Sequence, residues 1–245
     1  MSPSALIVRR IVVLSGGDEV RRKAAARVLA ELDPTDAATL LHEVQVLARK
    51  GRRDAAEAMH AFSRALELET EAIPHVELLR RAAALTGTQT VELLFSEGEA
   101  AAAYDATAAA RADAKLFNQP LGVLKSRARL TQNPDEMARF AVASNAAVVR
   151  ELLRNARLTE DLVVRIAARR PARPEPLVEI WRSDRWTTRP SVRRALAFNP
   201  YLPIEVGARI VPLLSKAELT ELSRDSSVHA SLREQAITLL AAATT

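Results

Sequence analysis

Apolar residues recur with the spacing of an α-helix along most of this chain. Such spacing places them on one helix face, whereas a half-buried strand would alternate every second residue. The segments between polar breaks are about 8–16 residues long, and helices of that length must pack together to be stable. We therefore predict an all-α fold, an α-solenoid of roughly ten to twelve short stacked helices. The stripes near the two ends comprise Val20, Ala24, Val28 and Leu32, and Leu232, Ala236, Leu239 and Leu240.

The start of the chain allows a second interpretation. Residues 11–17 read Ile-Val-Val-Leu-Ser-Gly-Gly, which could be a strand entering a glycine turn of a nucleotide-binding fold. The third glycine and the alternating strands of that fold are missing. The sequence therefore favours a helix that stops at Gly16 and Gly17.

Helix-start signals recur between the apolar segments. Asp33-Pro34 and Asn133-Pro134 each combine a capping side chain with a proline at the first helical position. Ser215 is followed three residues later by Glu218, which is the spacing of a capping box. These signals predict new helices at three points of the chain.

An internal repeat is the more specific signal. Asn155-x-x-Leu158 recurs 44 residues later as Asn199-x-x-Leu202, each between two helical segments, and Asn118-x-x-Leu121 is a third copy. Asn tolerates the left-handed conformation that ends many helices, and the Leu would return to the core. This is a packing motif, so its Asn residues are not expected to be catalytic.

A family resemblance follows from these residues. The stretch Val-Arg-Arg-Ala-Leu-Ala-x-Asn-Pro-x-x-Pro at 192–203 resembles bacterial helical-repeat proteins of the HEAT-like and variant leucine-rich-repeat type. Residues 18–25 are similar to the second helix of a HEAT repeat. The resemblance is clearer over 115–243 than over 1–95. It implies a curved stack of HEAT-like or ARM-like repeats with a binding role, and it carries no catalytic residues.

Charge is distributed unequally along the chain. Residues 1–110 carry 13 Lys and Arg against 16 Asp and Glu, whereas residues 111–245 carry 22 against 14. We predict an acidic N-terminal helical subdomain at 1–96 and a basic C-terminal repeat subdomain at 116–245. The Ala-rich stretch 97–115 between them is either a helix or a linker.

Composition excludes several kinds of site. The chain has no cysteine, so disulfides and thiolate metal sites are excluded. No run of 18 apolar residues is present, so we expect no membrane span. The apolar N-terminal run is split by Arg9-Arg10, which does not fit a signal peptide, and we predict a cytoplasmic protein.

No motif for catalysis survives inspection. The four histidines lack metal-ligand spacing, and the chain has neither a nucleophile elbow nor a phosphate-binding glycine loop with its lysine. We therefore predict that the protein is not an enzyme and holds no metal and no cofactor. The histidines are His42, His60, His75 and His229.

The candidate binding residues are basic. Residues 165–194 hold nine arginines and both tryptophans of the chain against three acids. Arginines beside an aromatic ring can bind phosphates, carboxylates or an acidic partner. Trp181 continues the apolar face of a predicted helix, so we expect it in the core. We also expect Glu179 and Arg182 to form an i,i+3 ion pair. The alternative is that the arginines only solvate the outer face of the stack. The predicted partner-binding residues are Arg182, Arg185, Trp186, Arg189, Arg193 and Arg194.

Two functions fit these observations. The first is a non-enzymatic interaction module or scaffold that binds an acidic protein or peptide on its repeat surface. The second is nucleic-acid binding, because Asp184-Arg185-Trp186 is faintly similar to the basic face of DNA-glycosylase solenoids. The excess of basic residues is modest for a protein that binds a phosphate backbone, so the first function is favoured.

Overall fold

The computed structural model of the chain describes residues 3–105, 119–143 and 145–242, and these are all-helical without a strand. Helices make up 70% of this described part. The chain forms two compact units. One consists of Met1–Gly98 and Ile204–Thr245, and the other of Glu99–Pro203. The predicted all-α class is confirmed.

The first unit contains nine described α-helices and three short 3-10 helices. The α-helices are α1 (Pro3–Val12), α2 (Gly17–Glu31), α3 (Pro34–Arg49), α4 (Arg53–Leu68), α5 (Val76–Leu85), α6 (Gln89–Glu92), α13 (Ile204–Ile210), α14 (Lys216–Leu222) and α15 (Ala230–Ala242). The 3-10 helices are Thr70–Ala72, Leu93–Phe95 and Val211–Leu213.

The second unit contains six described α-helices. They are α7 (Leu121–Leu130), α8 (Pro134–Phe140), α9 (Ala146–Leu153), α10 (Glu160–Ala168), α11 (Pro174–Arg182) and α12 (Pro190–Ala197).

The predicted helix count of ten to twelve is wrong, because the described residues alone form fifteen α-helices. Several are only four to seven residues long, too short to show a full apolar stripe. The helical interpretation of the chain start holds, since Ile11 and Val12 belong to α1. However, α1 ends at Val12. Gly16 and Gly17 instead adopt positive φ angles of 136° and 85° and lead into α2.

The units divide the chain differently from the predicted subdomains. The first boundary falls at Gly98, close to the predicted one, but residues 204–245 group with the N-terminal segment and not with 116–203. The reason is packing: α13 contacts α4, and α15 contacts α6. Of the Ala-rich stretch 97–115, residues 97–105 form no helix, and the others lie outside the described residues.

Helix α4 is central to the first unit and contacts α1, α2 and α3. It buries Met59, Phe62 and Leu66, and also the polar side chains of His60 and Arg64. Both face Asp18, with His60 Nδ1 at 3.1 Å and Arg64 Nε at 3.7 Å from its carboxylate oxygens. Burial alone would raise the pKa of Asp18, but the hydrogen bond from His60 and the charges of His60 and Arg64 outweigh it. The pKa of Asp18 is therefore below its ordinary value.

The second unit is built from helices that contact their second neighbours along the chain. Helix α9 packs against both α7 and α11, and α10 packs against α12. The core side chains include Phe140, Leu152, Leu177 and Trp181, all nearly inaccessible to solvent. This alternation places α7, α9 and α11 side by side in one row.

The predicted helix starts are confirmed. Asp33 accepts a hydrogen bond from the Thr35 amide at 2.9 Å, and Asn133 caps α8. Ser215 and Glu218 satisfy each other's backbone amides in a complete capping box at the start of α14.

Candidate functional site

The repeat motif holds the second unit together through buried asparagines. Asn155 and Asn199 are 2% and 3% exposed. The Nδ2 of Asn199 donates to the carbonyls of Ala167 and Arg169 at 2.7 and 3.0 Å, and its Oδ1 accepts from the Tyr201 amide at 3.0 Å. Asn155 repeats the pattern, donating to two carbonyls at 3.0 and 2.9 Å and accepting from the amide two residues on. Asn155 thus ties the turn after α9 to the end of α7, and Asn199 ties the turn after α12 to the end of α10.

The predicted left-handed conformation of these asparagines is wrong. No residue other than glycine has a positive φ angle among residues 3–105, 119–143 and 145–242. Asn is required here because its amide both donates and accepts in a buried turn. Leu158 and Leu202 are buried as predicted, and each amide bonds the carbonyl of its motif Asn. Asn118 of the third copy lies outside the described residues.

The structure corrects the prediction that Trp186 flanks an exposed basic surface. Trp186 is only 3% exposed, and its Nε1 donates to the Leu153 carbonyl at 2.9 Å. A tryptophan next to a turn looked like a surface residue because the helix it packs against is distant in sequence. In this structure Trp186 is a core residue that supports the end of α9.

Arg185 has a structural role beside it. Its guanidinium donates to the carbonyls of Asn155 and Leu158 at 2.8 and 3.2 Å and lies 4.3 Å from the centre of the Trp186 ring. These contacts stabilise the turn of the first repeat copy. Arg185 therefore positions a loop, and only part of its hydrogen-bonding capacity is available to a partner.

The other predicted arginines contact different neighbours. Arg189 Nε lies 3.7 Å from a Glu160 carboxylate oxygen, and the guanidinium of Arg194 lies 4.7 Å from the Phe198 ring centre. Arg193 is partly buried on α12. Arg182, at the end of α11, instead lines a groove with residues of α9.

This groove, the arginine groove, has a volume of about 360 Å³. It combines three arginines with one buried carboxylate at the ends of α9 and α11. The side chains of Arg150, Arg154 and Arg182 are 50%, 58% and 49% exposed, whereas that of Glu179 is 9% exposed. The lining residues are Arg150, Leu153, Arg154, Glu179, Arg182 and Ser183.

Glu179 organises the groove. Arg150 donates to both of its carboxylate oxygens, with Nε–Oε2 at 2.7 Å and Nη2–Oε1 at 2.6 Å. Arg182 Nη1 lies 3.9 Å from the same Oε1. The hydrogen bond with Glu179 raises the pKa of Arg150 above its already high ordinary value, so this guanidinium is ionised at any physiological pH. Two guanidiniums therefore converge on one carboxylate.

A second carboxylate, that of Glu151, connects an arginine of α7 with one at the end of α9. Glu151 Oε1 accepts from Arg154 at 2.9 Å, and its Oε2 lies 3.7 Å from Arg129 Nη1. These four arginines face two glutamates, which leaves two net positive charges. Each arginine lies in the last turn of its helix or just after it, where a cation opposes the negative helix end.

Arg129, Arg150 and Arg154 were not among the predicted binding residues. The prediction rested on the local density of arginine, whereas Arg150 and Glu179 are 29 residues apart. The last turn of every described helix of the second unit contains an arginine, so this sequence signal does not select the groove. The packing of α9 between α7 and α11 is what brings Arg129, Arg150 and Arg154 close to Arg182.

The chemistry of the arginine groove is that of anion binding. Guanidinium groups bind carboxylates and phosphates through directed hydrogen bonds, and they are poor bases and nucleophiles. The histidines lie elsewhere: His42 contacts the Thr90 hydroxyl at 2.9 Å, His75 the Leu29 carbonyl at 3.0 Å, and His229 the Ser231 hydroxyl at 2.8 Å. No cluster of metal-ligating side chains occurs among the described residues.

Comparison with known proteins gives no match among protein-family models, curated proteins or solved structures. Within the part of the chain that the structure describes, no helix has the length and apolar character needed to cross a bilayer.

Proposed function

We propose that this protein is a non-enzymatic interaction module that binds an acidic segment of a protein partner in the arginine groove. Helices α7 to α12 would then act as a short HEAT-like α-solenoid. The contacts of α9 with both α7 and α11, and the two Asn ladders 44 residues apart, support a repeat architecture. Stacked helices present a continuous surface, which suits an extended ligand.

The observation that carries the proposal is the excess of half-exposed guanidinium in the groove. Arg150, Arg154 and Arg182 surround Glu179, and together with Arg129 and Glu151 this network carries two net positive charges. An arginine offers five N–H donors, and Arg150 uses two atoms on Glu179. The groove can therefore accept further carboxylates without breaking its internal ion pair.

Nucleic-acid binding is less well supported. Stacking of an unpaired base requires an exposed aromatic ring, and both Trp181 and Trp186 are buried. The aromatic part of the predicted nucleic-acid site is thus buried in this structure. A nucleic acid therefore serves as a comparison ligand in the test.

Binding of a fluorescent deca-glutamate peptide to the full chain tests the proposal, with deca-glutamine and single-stranded DNA as comparison ligands. We expect selective binding of deca-glutamate at low salt, which Arg182→Glu weakens by about fivefold or more, since a surface charge contact contributes up to about 1 kcal/mol. Affinity should fall as salt rises, because the screening length is only about 10 Å at 0.1 M.

Arg165→Glu is the matched control. Arg165 is also an exposed arginine in the last turn of a helix, but it belongs to α10, outside the row of α7, α9 and α11. Equal losses from both variants would show a general charge effect and refute the assignment to the groove. Deca-glutamate binding no better than deca-glutamine, or tighter binding of the DNA, would refute the proposed function itself.

A further inference from the structure

The guanidiniums of the arginine groove converge on one carboxylate oxygen. Nη2 of Arg150 and Nη1 of Arg182 lie 2.6 and 3.9 Å from the same Oε1 of Glu179, so the sum of those distances is the largest separation that the two nitrogens can have. Both arginine side chains are half exposed, so a ligand can reach them from solvent. Charge-assisted hydrogen bonds to an anion are about 2.7–2.9 Å long, and one small anion can therefore accept from both guanidiniums at once.

The charge of the surrounding network favours a dianion over a monoanion. The four arginines that pair with Glu151 and Glu179 leave two net positive charges. A carboxylate would neutralise only one of them. A phosphorylated serine or threonine carries about −1.5 to −2 charges at neutral pH, so one phosphoryl group matches the net charge of the whole network.

The donors around the groove also suit a phosphoryl group. The Arg154 guanidinium and the Ser183 hydroxyl line the groove beside the two convergent arginines. A phosphoryl group can use more of these donors than a carboxylate can, because it offers three strong acceptor oxygens instead of two. Guanidiniums stay ionised at physiological pH, so the groove needs no proton uptake before it binds an anion.

Resting on the proposed function, we infer that the arginine groove recognises a phosphorylated serine or threonine within the acidic segment of the protein partner. The phosphoryl oxygens accept hydrogen bonds from Arg150 and Arg182, and Arg154 adds a third positive charge beside them. Neighbouring acids of the segment contribute weaker charge contacts, because those contacts are exposed to solvent.

Three labelled peptides test the inference by fluorescence anisotropy with the full chain. They share the frame Glu-Ala-Glu-X-Z-Glu-Ala-Glu, in which X-Z is phosphoserine-alanine, glutamate-glutamate or serine-alanine, so that the first two peptides have equal charge. We expect the phosphorylated peptide to bind at least about fivefold tighter than the glutamate peptide, the equivalent of one additional surface charge contact. Arg182→Gln should remove most of that preference. Arg165→Gln, outside the groove, should leave it unchanged.

The outcomes separate this inference from the proposed function. Equal affinity for the phosphorylated and glutamate peptides, or displacement of the phosphorylated peptide by an equal concentration of inorganic phosphate, overturns the inference and leaves the acid-binding groove in place. Binding of none of the three above a version with Gln for every Glu and with serine-alanine at X-Z overturns both.

The Arg182→Gln result depends on an intact fold. Unchanged tryptophan fluorescence and helical circular dichroism would show that the fold is intact, so that a retained preference counts against the inference. Arg154→Gln is the second variant, because Arg154 is also an exposed arginine of the groove, and it should reduce the preference in the same direction.

Discussion

Replacement of Asn199 by Ala should destabilise the second unit well beyond the loss of an ordinary polar side chain. The change leaves the Ala167 and Arg169 carbonyls without their donor and the Tyr201 amide without its acceptor. Each unmet buried hydrogen bond costs about 1 kcal/mol or more, so we expect a loss of about 3 kcal/mol in the free energy of unfolding. Asn199→Asp should cost at least as much, because an ionised carboxylate cannot donate to two carbonyl oxygens.

The assay can be local to this unit. The chain has two tryptophans, Trp181 and Trp186, and both are buried in the second unit. Urea unfolding followed by tryptophan fluorescence therefore reports on the unfolding of the unit to which Asn199 belongs. With a slope of about 2 kcal/mol per molar urea, the expected loss lowers the midpoint by about 1.5 M.

Asn145→Ala is the matched control, because Asn145 is an exposed helix cap in the same unit. It accepts from the Ala147 and Val148 amides at 3.0 and 3.3 Å, and loss of such a cap costs about 1 kcal/mol. Equal midpoints for the Asn145→Ala and Asn199→Ala variants, or a wild-type midpoint for Asn199→Asp, would refute the role given to the ladder.

Three other predictions concern contacts within one or the other unit. Leu202→Ala should cost about 2–5 kcal/mol in the same fluorescence assay, and a wild-type midpoint would contradict its burial. Trp186→Phe should cost about 1 kcal/mol, measured by circular dichroism in urea, because the Leu153 carbonyl loses its donor. Asp18→Asn should lower thermal stability at pH 7, where the ionised Asp18 stabilises the fold. Because its folded-state pKa is lowered, this contribution is complete above the unfolded value of 3.8 and disappears at lower pH. A difference in Tm between wild type and Asp18→Asn that did not shrink below that pH would contradict the assignment.

Local features of the fold were predictable from the sequence. The capping box of Ser215 and Glu218 depends on residues three apart, and the caps formed by Asp33 and Asn133 depend on the next turn. The buried Leu158 and Leu202 followed from the repeat. In each case the feature depends on residues that are close together in the sequence, so the sequence alone is enough to predict it.

Features that depend on distant packing were not predictable in this way. Residues 204–242 follow the second unit along the chain, yet they pack with the N-terminal helices. The buried role of Asn199 depends on carbonyls about thirty residues earlier. The sequence pointed to a helix end at Asn199, but the reason for an asparagine there is its contact with another helical segment.

The candidate site shows the same distinction within one ion-pair network. Sequence spacing pairs Glu179 with Arg182, three residues on, but their closest atoms are 3.9 Å apart. The short bonds, at 2.6 and 2.7 Å, come from Arg150 on a neighbouring helix. Arginine at a helix C-terminus is by itself an ordinary stabilising choice. Because α9 packs against both α7 and α11, that placement brings the guanidiniums of Arg150 and Arg182 to the same carboxylate. The positions that stabilise each helix end therefore also supply the positive charge of the arginine groove.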